Sequence, residues 1–444
     1  MTLLAPAQRP PGDPSLIFEA PGLSGKPALH ALIAGVSEYA NLPGPGEHGT
    51  PAGAGLGMKR LSSTSLTAYL ILDWLVKAAG AQCLHLPLGT VRLLLSPTAK
   101  EVAATAAPSA HGTIGLPSMT QLQVPRCDQD NLCAAAEAWR RSARVHRDGA
   151  TFFYFSGHGI QRTRNDQLLL LDTFGAGGAL SKHSVDVSSL RNGMAPYGNN
   201  DGRGDPAAVR PDIARTQFYF VDACRSAPSR MLSYEDSRPG AVWDVEYADM
   251  TDDRRAPVFY AAIPAGLAQA LTDRQSLFSM ALLRCLSGQA AYPPDQSADD
   301  RRSTNWHISS FSLNAGLPAR LKEVNAAHGG NQIGLADGFT EDAVLCYVKE
   351  WPLVPFQLVI DPESALAGTR VHLQGQSGRN LGLEREFRSP VDPYPFTISL
   401  EAGYYKFSAT LDNPAPPLRD CPAELYLVDP LRSRTWKATM SHGR

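Results

Sequence analysis

What the 444-residue chain lacks narrows the field first. No apolar run approaches the roughly 18 to 20 residues of a membrane-spanning helix. The best stretch, Leu66 to Val76, is interrupted by Asp73. An excess of one charge is missing as well: 41 Lys+Arg stand against 43 Asp+Glu, a formal charge of -2, which gives no electrostatic footprint for nucleic acid or an anionic bilayer. Cysteine is sparse. Seven scattered thiols exclude a disulfide scaffold, and their odd number leaves at least one free. Neither CxxC nor HExxH occurs, so no zinc is expected. The N-terminal MTLLAPAQRPPGDPSL has prolines where a secretory leader carries its apolar core, so the chain is expected in the cytoplasm, with residues 1–27 as a flexible tail.

What is present indicates a folded protein of two parts: 43% apolar and 19% charged residues are enough to bury a sizeable core. Leu29 to Val36, Thr90 to Leu95, Thr151 to Ser156, Gln217 to Val221 and Pro257 to Ile263 are short, nearly continuous apolar runs, the pattern of strands buried on both faces. Helical spacing over Ser65 to Ala79, Asp128 to Arg144 and Gln275 to Ser287 falls between them. Such alternation predicts an α/β fold with a mostly parallel sheet flanked by helices over residues 28–350. Beyond Trp351 the texture changes to short strand-like runs with turn-rich spacers, FQLVI, RVHLQ, PFTISL, YYKFSAT, ELYLVD and TWKAT, which predicts a C-terminal all-β sandwich-like module over 351–444. The Ala/Gly/Pro bias of the loops has the look of a high-GC bacterial coding sequence.

Two strand ends carry reactive side chains where an open α/β sheet places its ligand. They are Ser156-Gly157-His158-Gly159 and Asp222-Ala223-Cys224-Arg225. A thiol nucleophile needs a base to take its proton and donors for a tetrahedral oxyanion. His158 is the candidate base for Cys224, and the amides of Gly159 and Cys224 are candidate oxyanion donors. Alternate strand positions share a face, so Asp222 lies beside Cys224. Pairing with Arg225 or capping a following turn is the alternative reading of Asp222. Cys83, Cys127, Cys133, Cys285, Cys346 and Cys421 read as apolar fillers or surface thiols, and His48, His111 and His183 as loop residues.

FYFSGHG and FYFVDACRS, each an apolar strand running into its motif, together resemble the caspase and metacaspase group of cysteine peptidases, the caspase-hemoglobinase fold. The likeness extends to Gly35-Val36-Ser37-Glu38-Tyr39 after the first strand and to YAAIPAG late in the domain. It implies a His158/Cys224 dyad, an oxyanion hole at Gly159 and Cys224, and a protein substrate lying extended along Tyr260 to Ile263. Metacaspases with Asp two before the cysteine accept Arg or Lys, so Asp222 is expected to bind a basic side chain.

Some features depart from the pattern. A second acidic residue of the pocket is missing around Ser62 to Ser65. The acidic run of calcium-dependent metacaspases is replaced by Ile160 to Asn165, IQRTRN, so neither calcium nor another cofactor is expected. The His158 to Cys224 interval is long, the excess falling between Gly175 and Arg210. Arg230, Arg238, Arg254 and Arg255, in the loop after Cys224, are candidate self-processing sites of a zymogen. Two alternatives stand beside this reading: a CHAT or separase-like peptidase activated by a partner, and a non-catalytic scaffold. In either, the C-terminal module would bind an activator or target protein.

Overall fold

The apolar runs assemble as one seven-stranded sheet. The computed structural model describes residues 2–44, 47, 56–106, 115–161, 167–176, 182–196, 213–226, 242–243, 252–269, 274–293, 306–376, 378–413, 418–431 and 434–440. In chain order the first strands are β1 (Leu16–Glu19), β2 (Leu29–Val36), β3 (Leu88–Ser96) and β4 (Ala150–Gly157). A small antiparallel sheet of β5 (Gly159–Ile160), β6 (Leu168–Leu170) and β7 (Ser184–Asp186) precedes β8 (Thr216–Ala223) and β9 (Val258–Tyr260). After β10 (Trp306–Ser309), strand β11 (Leu335–Asp337) completes the main sheet in the order β1-β3-β2-β4-β8-β9-β11. Its five inner strands run parallel, and β1 and β11 close the edges antiparallel. The helices are α1 (Thr64–Gly80), α2 (Ala99–Ala106), α3 (Met119–Leu122), α4 (Gln129–Ala143), α5 (Val187–Gly193), α6 (Leu277–Arg284) and α7 (Ser310–His328). This is the mainly parallel α/β arrangement expected from the alternation of strands and helices.

Local chemistry sets the element ends. Asp128, expected as the first helical residue, is instead the N-cap of α4, accepting the Asn131 N–H at 2.8 Å. Trp139 packs inward, as its place in the helix predicts, and donates its indole N–H to the His30 carbonyl at 2.9 Å. Helix α6 stops at Arg284, short of the expected Ser287, because the chain widens into a π turn over Cys285–Gln289, within which Gly288 takes φ 110°.

One expectation is corrected. Residues 1–27 are not a loose tail throughout, since Leu16, Ile17 and Phe18 are buried and β1 pairs with β3. The flanking prolines disguise a four-residue edge strand, too short to show a period.

The chain divides into two compact units, residues 1–283 with 317–346, and residues 284–316 with 347–444. The second holds two sheets, which with β12 (Val344–Val348) bring the strands to nineteen among the described residues. One sheet contains β13 (Leu353–Asp361), β16 (Phe396–Glu401) and β19 (Thr435–Thr439). The other contains β14 (Thr369–Gly375), β15 (Glu384–Arg388), β17 (Gly403–Leu411) and β18 (Cys421–Val428). Phe356 of the first sheet stacks on Phe407 of the second with ring centroids 5.5 Å apart, and Trp436 stacks on the same ring at 5.3 Å. These aromatics fill the space between the sheets. No helix among the described residues is long and apolar enough to cross a membrane.

Candidate active site

Strands β4 and β8 form the platform. Phe152, Phe153, Tyr154 and Phe155 pair with Phe218, Tyr219, Phe220 and Val221, and all eight are fully buried. Burial of each such large side chain is worth about 1.5 to 3 kcal/mol, so the two strand ends are held firmly. The register continues through Ser156 with Asp222 and Gly157 with Ala223, and His158 and Cys224 follow directly in their chains. Both line one cavity of about 230 Å³ with Arg60, Leu61, Ser62, Ser63, Thr64, Gly157, Asp222, Ala268, Gln269 and Ser276. Gly159 pairs in β5 immediately beside it.

His158 is fixed at three points. Its backbone N–H donates to the Tyr39 hydroxyl at 2.7 Å, its ring lies 4.9 Å from the Tyr39 ring, and its Nε2 is 2.7 Å from the Lys59 carbonyl oxygen. A carbonyl only accepts, so Nε2 carries the proton and Nδ1 is left as the basic nitrogen. Burial lowers the imidazole pKa, partly offset by the Lys59 carbonyl, so the ring is neutral at pH 7.

The Cys224 sulfur sits between the backbone groups of one residue. Its S–H points to the Ala268 carbonyl at 3.5 Å, and the Ala268 N–H donates to it at 3.3 Å. Burial pushes the thiol up, the Ala268 bond opposes this, and the Asp222 charge adds to the rise. The pair is therefore a neutral thiol and a neutral imidazole. Gln167 donates to the carbonyls of Ala223 and Cys224 at 3.4 and 3.2 Å, fixing the backbone at Cys224.

Asp222 is 3% exposed and its Oδ2 gathers three hydroxyls: Tyr154 at 2.8 Å, Ser156 at 3.4 Å and Ser276. Burial dominates, lifting its pKa to about 6 against the downward pull of Ser276, Tyr154 and Ser156. Arg225 lies instead over the Tyr260 ring, 4.8 Å from its centroid. Arg60, the cation on the cavity wall, is engaged by Glu38 at 2.8 Å and the Leu42 carbonyl at 2.8 Å.

The glycines have a tighter reason than room for substrate. A Cβ on Gly159 would stand 2.4 Å from the Cys224 carbonyl oxygen, and one on Gly157 2.9 Å from the Tyr39 hydroxyl. They let the histidine and cysteine backbones approach each other and their supports. The expected substrate track along Tyr260 to Ile263 is corrected. Strand β9 is paired on both sides, Ala261 N–H is bonded to Val221 and Ile263 N–H to Ile333, so these amides are already used.

Tyr39, Tyr154, Gln167, Lys59 and Ser276 escaped the reading of the sequence. Of these, Tyr154 alone left a signal, as a polar group two before Ser156 in an apolar strand. Arg254 is buried, its guanidinium held by Asp252, Gln217 and the Arg191 carbonyl, and the Arg255 backbone bridges to Thr216. Arg230, Arg238, His48, His111 and residues 162–166 lie outside the described residues, as does most of 175–210. His183 bonds Thr173 at 2.9 Å. All seven cysteines are free thiols, and the described residues hold no cluster of three metal-ligating groups.

An open α/β sheet with a thiol and an imidazole at the carboxyl ends of adjacent parallel strands, sharing one cleft, defines the class of caspase-like domains. Residues 119–300 match the caspase domain family, a span that contains β4, β8 and the cavity's reactive groups. The chain thus carries a caspase-like cysteine peptidase domain, a hydrolase acting on protein substrates. No curated protein matches the chain.

Proposed function

We propose that the protein is a cysteine endopeptidase that cuts polypeptides on the carboxyl side of Arg or Lys. The observation that carries the specificity is the asymmetry of Asp222. Three hydroxyls converge on Oδ2 while Oδ1 has no hydrogen-bond partner among the described residues, and the residue lines the cavity that holds Cys224. A single open carboxylate oxygen among hydroxyl-bearing Ser62, Ser63 and Thr64 suits a guanidinium or ammonium group and disfavours an acidic side chain.

The chemistry follows from the neutral pair. As Sγ of Cys224 attacks the scissile carbonyl carbon, its proton passes to Nδ1 of His158, and the oxyanion is held by the Gly159 and Cys224 amides. The imidazolium then protonates the leaving amine as the C–N bond breaks. Water, deprotonated by the same imidazole, hydrolyses the thioester and returns the thiol. The Lys59 carbonyl keeps Nε2–H engaged throughout while the Tyr39 hydroxyl holds the His158 backbone N–H, and no cofactor takes part.

Regulation belongs to the same reading. Self-processing in the loop after Cys224 would use Arg230 or Arg238, because Arg254 is buried and paired. The C-terminal sheets would recruit an activator or a target.

Fluorogenic peptides differing only in Arg, Lys or Asp before the scissile bond test the proposal. Cleavage of the Arg and Lys peptides by wild type, abolished in Cys224→Ala and in His158→Ala, is expected. Faster cleavage of the Asp peptide would overturn it.

A further inference from the structure

Helix α1 lacks a cap of its own. Ser63 occupies its N-cap position but makes no side-chain hydrogen bond to the helix, although serine there normally does. Two side chains from elsewhere in the chain replace it. Ser37 Oγ accepts the Ser65 N–H at 2.9 Å, and Glu101 Oε1 accepts the Leu66 N–H at 2.9 Å. The Ser37 hydroxyl in turn donates to Glu101 Oε1 at 2.8 Å, while Oε2 accepts the Thr98 N–H at 2.8 Å and its hydroxyl at 3.0 Å. Glu101 is 2% exposed, so the carboxylate is held by these hydrogen bonds and by the positive end of α1.

The capped turn is the cavity wall. Ser62, Ser63 and Thr64, at the start of α1, line the cavity with Cys224 and Asp222. Leu61 N–H bonds the Ser37 carbonyl at 3.0 Å, and Ser65 Oγ bonds the Gly35 carbonyl at 2.9 Å, so the wall is stapled to the end of β2 at the same place. Gly35 permits this closeness, since a Cβ there would stand 2.7 Å from that of Ala68.

We propose that Glu101 is a positioning residue for peptide cleavage: from outside the cavity it caps α1 and so sets the wall against which the substrate's basic side chain lies. The inference rests on the reading that this cavity accepts that side chain. Without the carboxylate the first turn of α1 loses its acceptor for Leu66 N–H and the anchor of Ser37. The wall then loosens while the His158 and Cys224 supports, Tyr39 and Gln167, stay in place.

The test compares wild type, Glu101→Gln and Ser37→Ala in hydrolysis of an Arg peptide and, separately, in alkylation of Cys224 by iodoacetamide. Gln keeps the size and one acceptor but removes the charge. The expected result is KM raised about five- to tenfold, with kcat and the alkylation rate within about twofold of wild type. Ser37→Ala should move KM in the same direction. An unchanged KM in both folded variants overturns the inference alone, as does a parallel fall in kcat, alkylation rate and thermal stability, which would mark general structural damage. A wild type that alkylates at Cys224 but does not cleave the Arg peptide overturns the reading of the cavity, and the inference with it.

Discussion

Replacement of Asp222 by Asn is expected to make the protein more stable and less active at once. Burial has raised this carboxyl from 3.8 to about 6, so between those values the folded state keeps a proton that the unfolded chain releases. Ionised Asp222 therefore opposes folding. The cost is absent below pH 3.8 and complete above about pH 6, where the shift corresponds to about 3 kcal/mol. Asn keeps the shape and leaves one oxygen to accept from Tyr154, Ser156 and Ser276, while carrying no charge to bury. Urea unfolding of Cys224→Ala and of the Asp222→Asn, Cys224→Ala double variant avoids self-cleavage. The double variant should gain up to about 3 kcal/mol at about pH 8 and nothing at about pH 3.5.

Activity should move the opposite way. A hydrogen bond to a charged group contributes about 1.5 to 3 kcal/mol, so Asp222→Asn should lower kcat/KM for an Arg peptide by about 10- to 150-fold. A citrulline peptide, neutral but of the same shape, should change by less than about threefold. Because Asp222 must be ionised to bind a cation and sits near 6, wild-type kcat/KM should fall about tenfold from pH 7 to pH 5 through this group. The variant should retain only the acid limb of His158, which burial moves below its ordinary value. Equal loss on the Arg and citrulline peptides, or lower stability of the Asn protein at about pH 8, would refute the reasoning.

Two further predictions concern the reactive pair. Burial keeps Cys224 protonated, so its alkylation by iodoacetamide in His158→Ala should climb steadily to above pH 9, with no plateau at neutral pH; a plateau below pH 7 would mean a preformed thiolate. Gly159→Ala places a Cβ 2.4 Å from the Cys224 carbonyl oxygen, a backbone atom that cannot swing aside, so peptide cleavage should drop at least about 100-fold while the C-terminal unit still melts normally; near-normal activity would show that the two strand ends need no such contact.

The parallel strands were legible because they are buried on both faces, which makes LHALIAGV and TFFYFSG apolar without alternation. Strand β1 was not, since LIFE is four residues long between prolines and its place is set by pairing with the distant β3. The C-terminal strands showed as short strand-like runs between turn-rich spacers, except β15, whose EREFR buries only Phe387 and reads as a charged loop. At the site, His158, Gly159, Asp222 and Cys224 could be named because they sit at or just past the ends of β4 and β8, where position along the sequence predicts position in space. The residues that hold them could not. Tyr39 and Lys59 reach His158 across 119 and 99 positions, and Ser276 reaches Asp222 across 54. No local pattern encodes such contacts, because they arise from the order in which strands enter the sheet.

That order also explains why the chemistry is built with neutral groups. Asp222 is placed beside Cys224 by the two-residue period of β8, and its charge disfavours a thiolate there. A thiolate–imidazolium pair at rest would set a second negative charge beside that carboxylate. Leaving both groups neutral removes the conflict: charge on sulfur appears only as the bond to carbon forms, and the imidazolium that forms with it is transient. With a basic substrate, as proposed above, the cationic side chain would supply the missing compensation, screening Asp222 from Cys224 when the attack begins. Binding of the correct side chain and activation of the thiol are thereby coupled, so an Arg peptide should gain in kcat as well as in KM over its citrulline counterpart. A difference confined to KM would show that Asp222 acts on binding alone.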